Sequence, residues 1–342
     1  MKRIWQRALC AFLVFALLAS AMPAPPTAVA ATPETLSMQN DNIELTVSTK
    51  NGGFVVRTLE GDIITKDDNN KDLLYRRDQF DTSFASFLVT EGGRSTEYIF
   101  GNDYRYRGWT NKLSVTREQN GIRAVWTVNN LVFTQLLEPI LNQASNAHGT
   151  VRISYSVENK TGTPINVKVR LLLDTALGEQ DFAYYELAQG PTADESFICI
   201  EQEASLDEST DYLPANFFAY DDYLNPTTAA YTIFDQSAEG VRPYRLAFGH
   251  WNNLAATVFD FVPDDALTFT NPYNRRYLTA DSAIAVYYEL GSVATGSTSR
   301  QAATYYGVDS KVRVKDSDRV GITVTAPPGL KLNEAQDAYL QP

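Results

Sequence analysis

The sequence predicts an all-β protein, a single large antiparallel β-sandwich, and three observations carry that prediction. Apolar side chains from residue 33 to about 325 recur with a period of two, which places alternate residues on opposite faces of a strand. The runs are separated by Asn-Gly and Gly-Gly signals of the kind that tight hairpins need. No convincing helical period and no Pro- or Gly-rich linker interrupts the series.

Taken in order, Ile43, Leu45 and Val47 alternate with polar residues and lead into Asn51-Gly52-Gly53, after which Phe54-Val55-Val56 returns. A turn at Gly61-Asp62 and the pair Ile63-Ile64 precede the charged stretch 66–72. There, Asp68-Asn69-Asn70-Lys71-Asp72 starts like a calcium loop, but Leu73 replaces the required Gly, and the stretch reads as a turn. Phe84–Val89 and Tyr98–Phe100 are short strands, and Leu113–Val128 is a hairpin around Asn120-Gly121. Val151–Asp181 reads as two long strands joined by a turn at 159–164, followed by an acidic loop. Leu171-Leu172-Leu173, apolar on both faces, marks a buried strand. Gln189–Tyr223 reads as acidic and aromatic loops, with any short helix expected there. Tyr244–Phe248, Ala255–Phe261, Ser282–Tyr288, Ala302–Val308 and Val320–Val324 complete the strands. Residues 326–342 depart from the pattern and read as a C-terminal tail or the start of a following region, the chain being expected to form the N-terminal part of a larger surface protein.

The N-terminus predicts export. Lys2, Arg3 and Arg7 precede the apolar run Ala11–Ala19, and Ala28-Val29-Ala30 is a small-x-small cleavage signal, so residues 1–30 read as a signal peptide. Cleavage removes three of 29 basic residues and no acidic one, leaving 26 against 41 and a formal charge of −15. That balance opposes nucleic-acid binding, because Lys and Arg supply phosphate contacts. No later run reaches the roughly 20 apolar residues of a membrane span. Cys199 alone remains after cleavage, so no intramolecular disulfide forms; flanked by Ile198 and Ile200, it reads as buried. The expectation is a secreted, cell-surface monomer whose partners are carbohydrate or a surface protein.

The order of features resembles the galactose-mutarotase-like, or aldose-1-epimerase-like, β-supersandwich. The residues that carry it are Ile43–Val47 with Gly52-Gly53, the central run ISYSVENKTGTPINVKVRLLLD, and the late run AIAVYYELGSVATGSTSRQAATYYGV. The resemblance implies the supersandwich fold and directs attention to a His beside an aromatic and Asn pair, a second His, and a late Glu base. Gly249-His250-Trp251-Asn252-Asn253, His148 and Glu289 are the corresponding features. Their order differs from the family's His-x-Tyr-Phe-Asn, so the chain reads as a non-catalytic relative, with a mutarotase-type enzyme as the alternative.

His250 and Glu289 are the catalytic candidates, because opening a hemiacetal needs an acid and a base on opposite sides of the ring. Trp251, Asn252 and Asn253 suit sugar recognition, combining an aromatic face with amide groups. So do the clusters Phe217–Tyr223 and Arg105–Trp109. Asp174, Glu179 and Asp181 lie within eight residues around Gly178, a loop able to read sugar hydroxyls; Ca²⁺ is its open alternative, although no cofactor is expected. Two distant His and one mature Cys make no zinc or transition-metal set, and there is neither a phosphate loop nor a Gly-x-Ser-x-Gly elbow.

Overall fold

Alternation becomes strands almost throughout the computed structural model, which describes residues 34–61, 67–76, 80–102, 111–141, 148–190, 197–234, 240–271, 278–308, 312–314 and 322–324. These all belong to one compact unit, Glu34–Pro342; residues 1–33, Ile63-Ile64, Arg105–Trp109 and residues 326–342 lie outside the described residues.

In chain order the strands are β1 (Thr35–Gln39), β2 (Ile43–Ser48), β3 (Phe54–Thr58), β4 (Phe84–Glu91) and β5 (Arg94–Ile99). β6 (Asn111–Arg117), β7 (Ile122–Val128), β8 (Leu131–Pro139), β9 (Thr150–Asn159) and β10 (Ile165–Thr175) follow. Then come β11 (Tyr184–Ala188), β12 (Phe197–Ile200), β13 (Ala204–Asp207), β14 (Asn216–Tyr220), β15 (Ala229–Phe234) and β16 (Pro243–Gly249). A helix α1 (Trp251–Ala256) precedes β17 (Ser282–Val293), β18 (Ala302–Gly307), β19 (Val312–Val314) and β20 (Ile322–Val324).

Two antiparallel sheets make the sandwich: a six-stranded one, β13-β16-β17-β10-β4-β5, and a nine-stranded one, β12-β11-β14-β15-β18-β9-β8-β7-β6. β1-β2-β3 form a small third sheet and β19-β20 a ribbon. Aromatic rings join the two large sheets. Phe87 of β4 meets Phe133 of β8 with centroids 4.6 Å apart, and Tyr185 of β11 meets Phe248 of β16 at 5.0 Å. Burying each such ring contributes about 1.5–3 kcal/mol. The alternation of β8, buried at Leu131, Phe133, Gln135 and Leu137 and half-buried between them, is what one core-facing side requires.

β10 is different from Val169 onward, being buried on both faces through Thr175, as Leu171-Leu172-Leu173 predicted. Its outer face is roofed by α1 and the segment after it, where Leu172, Leu254, Phe259, Phe261 and Tyr287 form a second apolar cluster. Arg170, fully buried in that layer, donates to the carbonyls of Leu254 at 2.6 Å, Thr257 at 2.8 Å and Val258 at 3.1 Å. A cation thus satisfies the orphan carbonyls at the end of α1, where the helix dipole favours positive charge.

Several expectations are corrected. β9 and β10 are not a hairpin: β9 pairs with β8 and β18, whereas β10 pairs with β17 and β4. The turn at 159–164 therefore carries the chain from one sheet to the other. Buried Asn159 holds the corner, its amide donating to Thr163 O (2.9 Å) and Val293 O (3.0 Å) while its Oδ1 accepts from Thr161 N (2.9 Å). Gln189–Tyr223 contains strands β12, β13 and β14 rather than only loops. The helix lies at 251–256, where a strand over Ala255–Phe261 was expected. Cys199 is half-buried, not buried, because β12 is the edge of the nine-stranded sheet.

Candidate functional site

Strand register brings Asp174, Asp281 and His250 to one end of the six-stranded sheet. Leu172 stands opposite Phe84 on β4 and Ala285 on β17, and Ala285 stands opposite Ala247 on β16. The starts of β4, β13 and β17 and the ends of β5, β10 and β16 therefore share that end.

Three carboxylates meet there. Asp174 lies near the end of β10, opposite Ala283, and its N–H donates to Ser83 Oγ at 3.0 Å. Asp281 immediately precedes β17, its N–H on Phe269 O at 3.0 Å. Asp181 follows the tight turn at Gly178, whose φ of +64° suits glycine. The loop is pinned to the start of β17: Ser282 N donates to Asp181 O (3.2 Å) and Ala183 N to Ser282 Oγ (2.9 Å). As a result one carboxylate oxygen from each of Asp174, Asp181 and Asp281 lies within 4.8 Å of the others. Burial pushes the Asp181 carboxyl up to about 6. Asp281 rises further, to about 8, through burial first and the nearby Asp181 charge second. Glu179 is exposed at the loop tip and does not join the group.

His250 has a backbone task. Its side chain is fully buried; Nδ1 accepts from Asn252 N at 3.2 Å, capping α1, and Nε2 lies 3.1 Å from Thr279 O. This pattern requires the neutral tautomer with hydrogen on Nε2. Glu289 is an exposed residue of β17 beside Lys168, with oxygen and nitrogen 3.6 Å apart. Gly249 pairs with Ala283, so Glu289 lies six residues, about 20 Å, along the strand from His250. The two expected catalytic residues do not share a site.

Trp251 donates Nε1–H to Thr82 O at 3.0 Å and packs on the second apolar cluster, and Asn252 is exposed. Asn253 reaches both oxygens of buried Glu203, at 2.9 and 2.8 Å. Glu203 also accepts from Asp264 N (2.9 Å) and His250 N (3.3 Å), tying both ends of the α1 segment to β13. Burial raises its carboxyl, and these donors oppose the rise. Replacing Glu203 by Ala leaves three donor groups without their charged acceptor, a loss of about 2–3 kcal/mol. Urea unfolding checks this, and an unchanged midpoint would refute the anchoring role. His148 bonds through Nδ1 to Ile140 O (3.1 Å), and Phe218, Tyr220 and Tyr231 stack together on the nine-stranded sheet.

No protein-family model matches this chain, and no curated protein does. Its neighbours among solved structures include galactose-mutarotase and aldose-1-epimerase-like proteins. An aldose epimerase homologue from C. elegans is 11% identical at a TM-score of 0.47, over 80% of this chain and 99% of that one. A putative aldose 1-epimerase from Escherichia coli is 11% identical at 0.35, over 80% and 98%. A TPR-domain containing protein from Parabacteroides distasonis is 12% identical at 0.41; 88% of this chain covers half of that protein's length. At these identities and scores no activity follows from the likeness.

Beside the carboxylates, on the far side of Ser83, lies a pocket of about 380 Å³, within the size range of small-ligand clefts. Phe80, Phe84 and Phe100 line it with Asn51, Asn102 and Asp81. Gln135 forms part of its wall, fixed by donation to Gly52 O (2.7 Å) and acceptance from Tyr155 O–H (2.8 Å). The wall is tightly built: a Cβ on Gly53 would lie 1.8 Å from Phe80 O, and Phe80 itself has φ +50°. Sequence patterning registered Asn51-Gly52-Gly53 as a turn only, and nothing local marked Asp281, Phe80 or Asn102 as a site residue.

Proposed function

We propose that the protein is an exported, non-catalytic β-sandwich module that binds carbohydrate in the pocket at the end of the six-stranded sheet. The supporting observation is the lining of that pocket, where phenylalanine rings able to pack on apolar sugar faces stand with amide and carboxylate groups able to read hydroxyls. The signal-peptide pattern and the acidic mature chain support export. The engagement of both His250 nitrogens with backbone supports a binding rather than an epimerising role. A glycan array probed with the mature protein tests the reading. Binding should weaken about tenfold in Asn102→Ala, the loss expected for one hydrogen bond; an array silent throughout overturns it.

The alternative, a mutarotase-type sugar-active enzyme, is favoured by one observation: Asp181 and Asp281 sit together with carboxyls raised to about 6 and 8, near a working pH. Polarimetry of glucose and galactose mutarotation decides it. A rate lost in Asp281→Asn but kept in His250→Ala would establish the carboxylates as acid and base, and no rate above background removes the enzyme reading.

A further inference from the structure

We propose that Asp174, Asp181 and Asp281 form a Ca²⁺ site that clamps the loop after β10 onto the start of β17. The inference is independent of what the neighbouring pocket binds. Its first support is geometry: the three carboxylate oxygens lie within 4.8 Å of one another. Oxygens no farther apart than this can share one ion at roughly the 2.3–2.6 Å typical of calcium ligands, and three protein carboxylates suit calcium better than Mg²⁺, which usually keeps several waters and takes only about one or two carboxylates.

The second support is unmet hydrogen-bonding demand. Asp281, whose carboxylate takes part in the cluster, is only 9% exposed, and its buried Oδ1 accepts no hydrogen bond; the buried Oδ1 of Asp181 accepts none either. A buried carboxylate oxygen left this way is costly unless a proton or a cation supplies its partner. The donor set is oxygen only, with neither His nor Cys, which is the chemistry of hard cations rather than zinc or copper.

The fold also brings the ligands from independent places. Asp174 comes from a strand, Asp181 from the loop, and Asp281 from 100 residues beyond Asp181, so an ion there ties together segments that the chain alone does not. Asp281 joins the others because Thr175 pairs with Ser282. Asp181 is half-exposed and leaves the cluster open to solvent on its side, which gives an ion its way in.

Calorimetric titration of the mature protein with CaCl₂, after stripping with EDTA, tests this. One equivalent should bind at the cluster, and the melting temperature should rise by about 5 °C at a free calcium concentration about 100 times the dissociation constant. Asp281→Asn should lower the affinity by about 100-fold or more, beyond the 10- to 100-fold typical of a mere supporting partner, while Glu179→Gln should leave it unchanged. Because the Asp281→Asn side chain is neutral and isosteric, the variant should fold, and its melting point in EDTA verifies that. Identical melting of wild type in EDTA and calcium, or calcium binding that survives Asp281→Asn, would overturn the proposal.

Discussion

In EDTA, Asp281→Asn should make the protein more stable at pH 8, not less. The carboxyl of Asp281 is raised to about 8 by burial and by the charge of Asp181. In the unfolded chain an Asp carboxyl titrates near 3.9. The folded state therefore holds the proton more tightly. The stability this contributes is complete below about pH 4 and is lost as pH rises through about 8. Asp181, raised to about 6, acts in the same direction over a narrower window. Wild type in EDTA should lose a few kcal/mol between pH 5 and 8.5, at about 1.4 kcal/mol per pK unit. The variant should lose much less. Urea unfolding of both proteins across that range measures the difference, which reports Asp281 together with its coupling to Asp181 and cancels the titration of groups remote from them. Parallel curves would show that the carboxyl is not desolvated in the folded protein. Ordinary carboxylates are already ionised above pH 5, so the window avoids the general acid response of an acidic surface.

The second large effect falls at Arg170. Arg170→Met should cost about 3 kcal/mol or more, read as a shift of the urea midpoint. A buried cation carries a desolvation penalty, and burial accordingly lowers the guanidinium from its usual range. Against that stand three carbonyl acceptors at 2.6–3.1 Å and the face of Tyr287, with its ring centroid 5.9 Å away. Hydrogen bonds to charged groups contribute about 1.5–3 kcal/mol each, so the acceptors outweigh the penalty in the folded state. Methionine fills the volume of the stem but takes the charged donor from the carbonyls of Thr257 and Val258, and leaves Leu254 O only the Thr257 hydroxyl at 3.2 Å. That is the costly kind of substitution, because one side of a buried polar arrangement is removed and the other stays. Arg170→Ala should be worse, adding a cavity beneath α1. A variant as stable as wild type would mean that the end of α1 finds other donors.

Both effects depend on contacts that no local pattern announces. The sandwich itself was legible. Strand alternation at Leu113–Val128 and the continuous apolar stretch of Leu171–Leu173 appear as expected, because strand periodicity is a local consequence of which side chains face the core. Asp174 and Asp181 were also legible as neighbours, seven residues apart around a glycine. His250 was misleading. A His beside Trp and two Asn looks like recognition chemistry, whereas its buried ring serves the first turn of a helix that strand patterning did not anticipate.

The sequence by itself determined that the chain makes long alternating strands, where many of its turns fall, and that an acidic loop follows β10. Only the tertiary structure decided what those strands pair with. A period of two is the same in a hairpin and in a corner between sheets, so nothing local distinguishes them at 159–164. The hydrogen-bond ladders to β8 and β18 on one side, and to β17 and β4 on the other, make the choice. The same ladders complete the carboxylate cluster. Thr175 opposite Ser282 sets Asp281 beside Asp174, and a register shifted by one residue would turn those side chains to opposite faces.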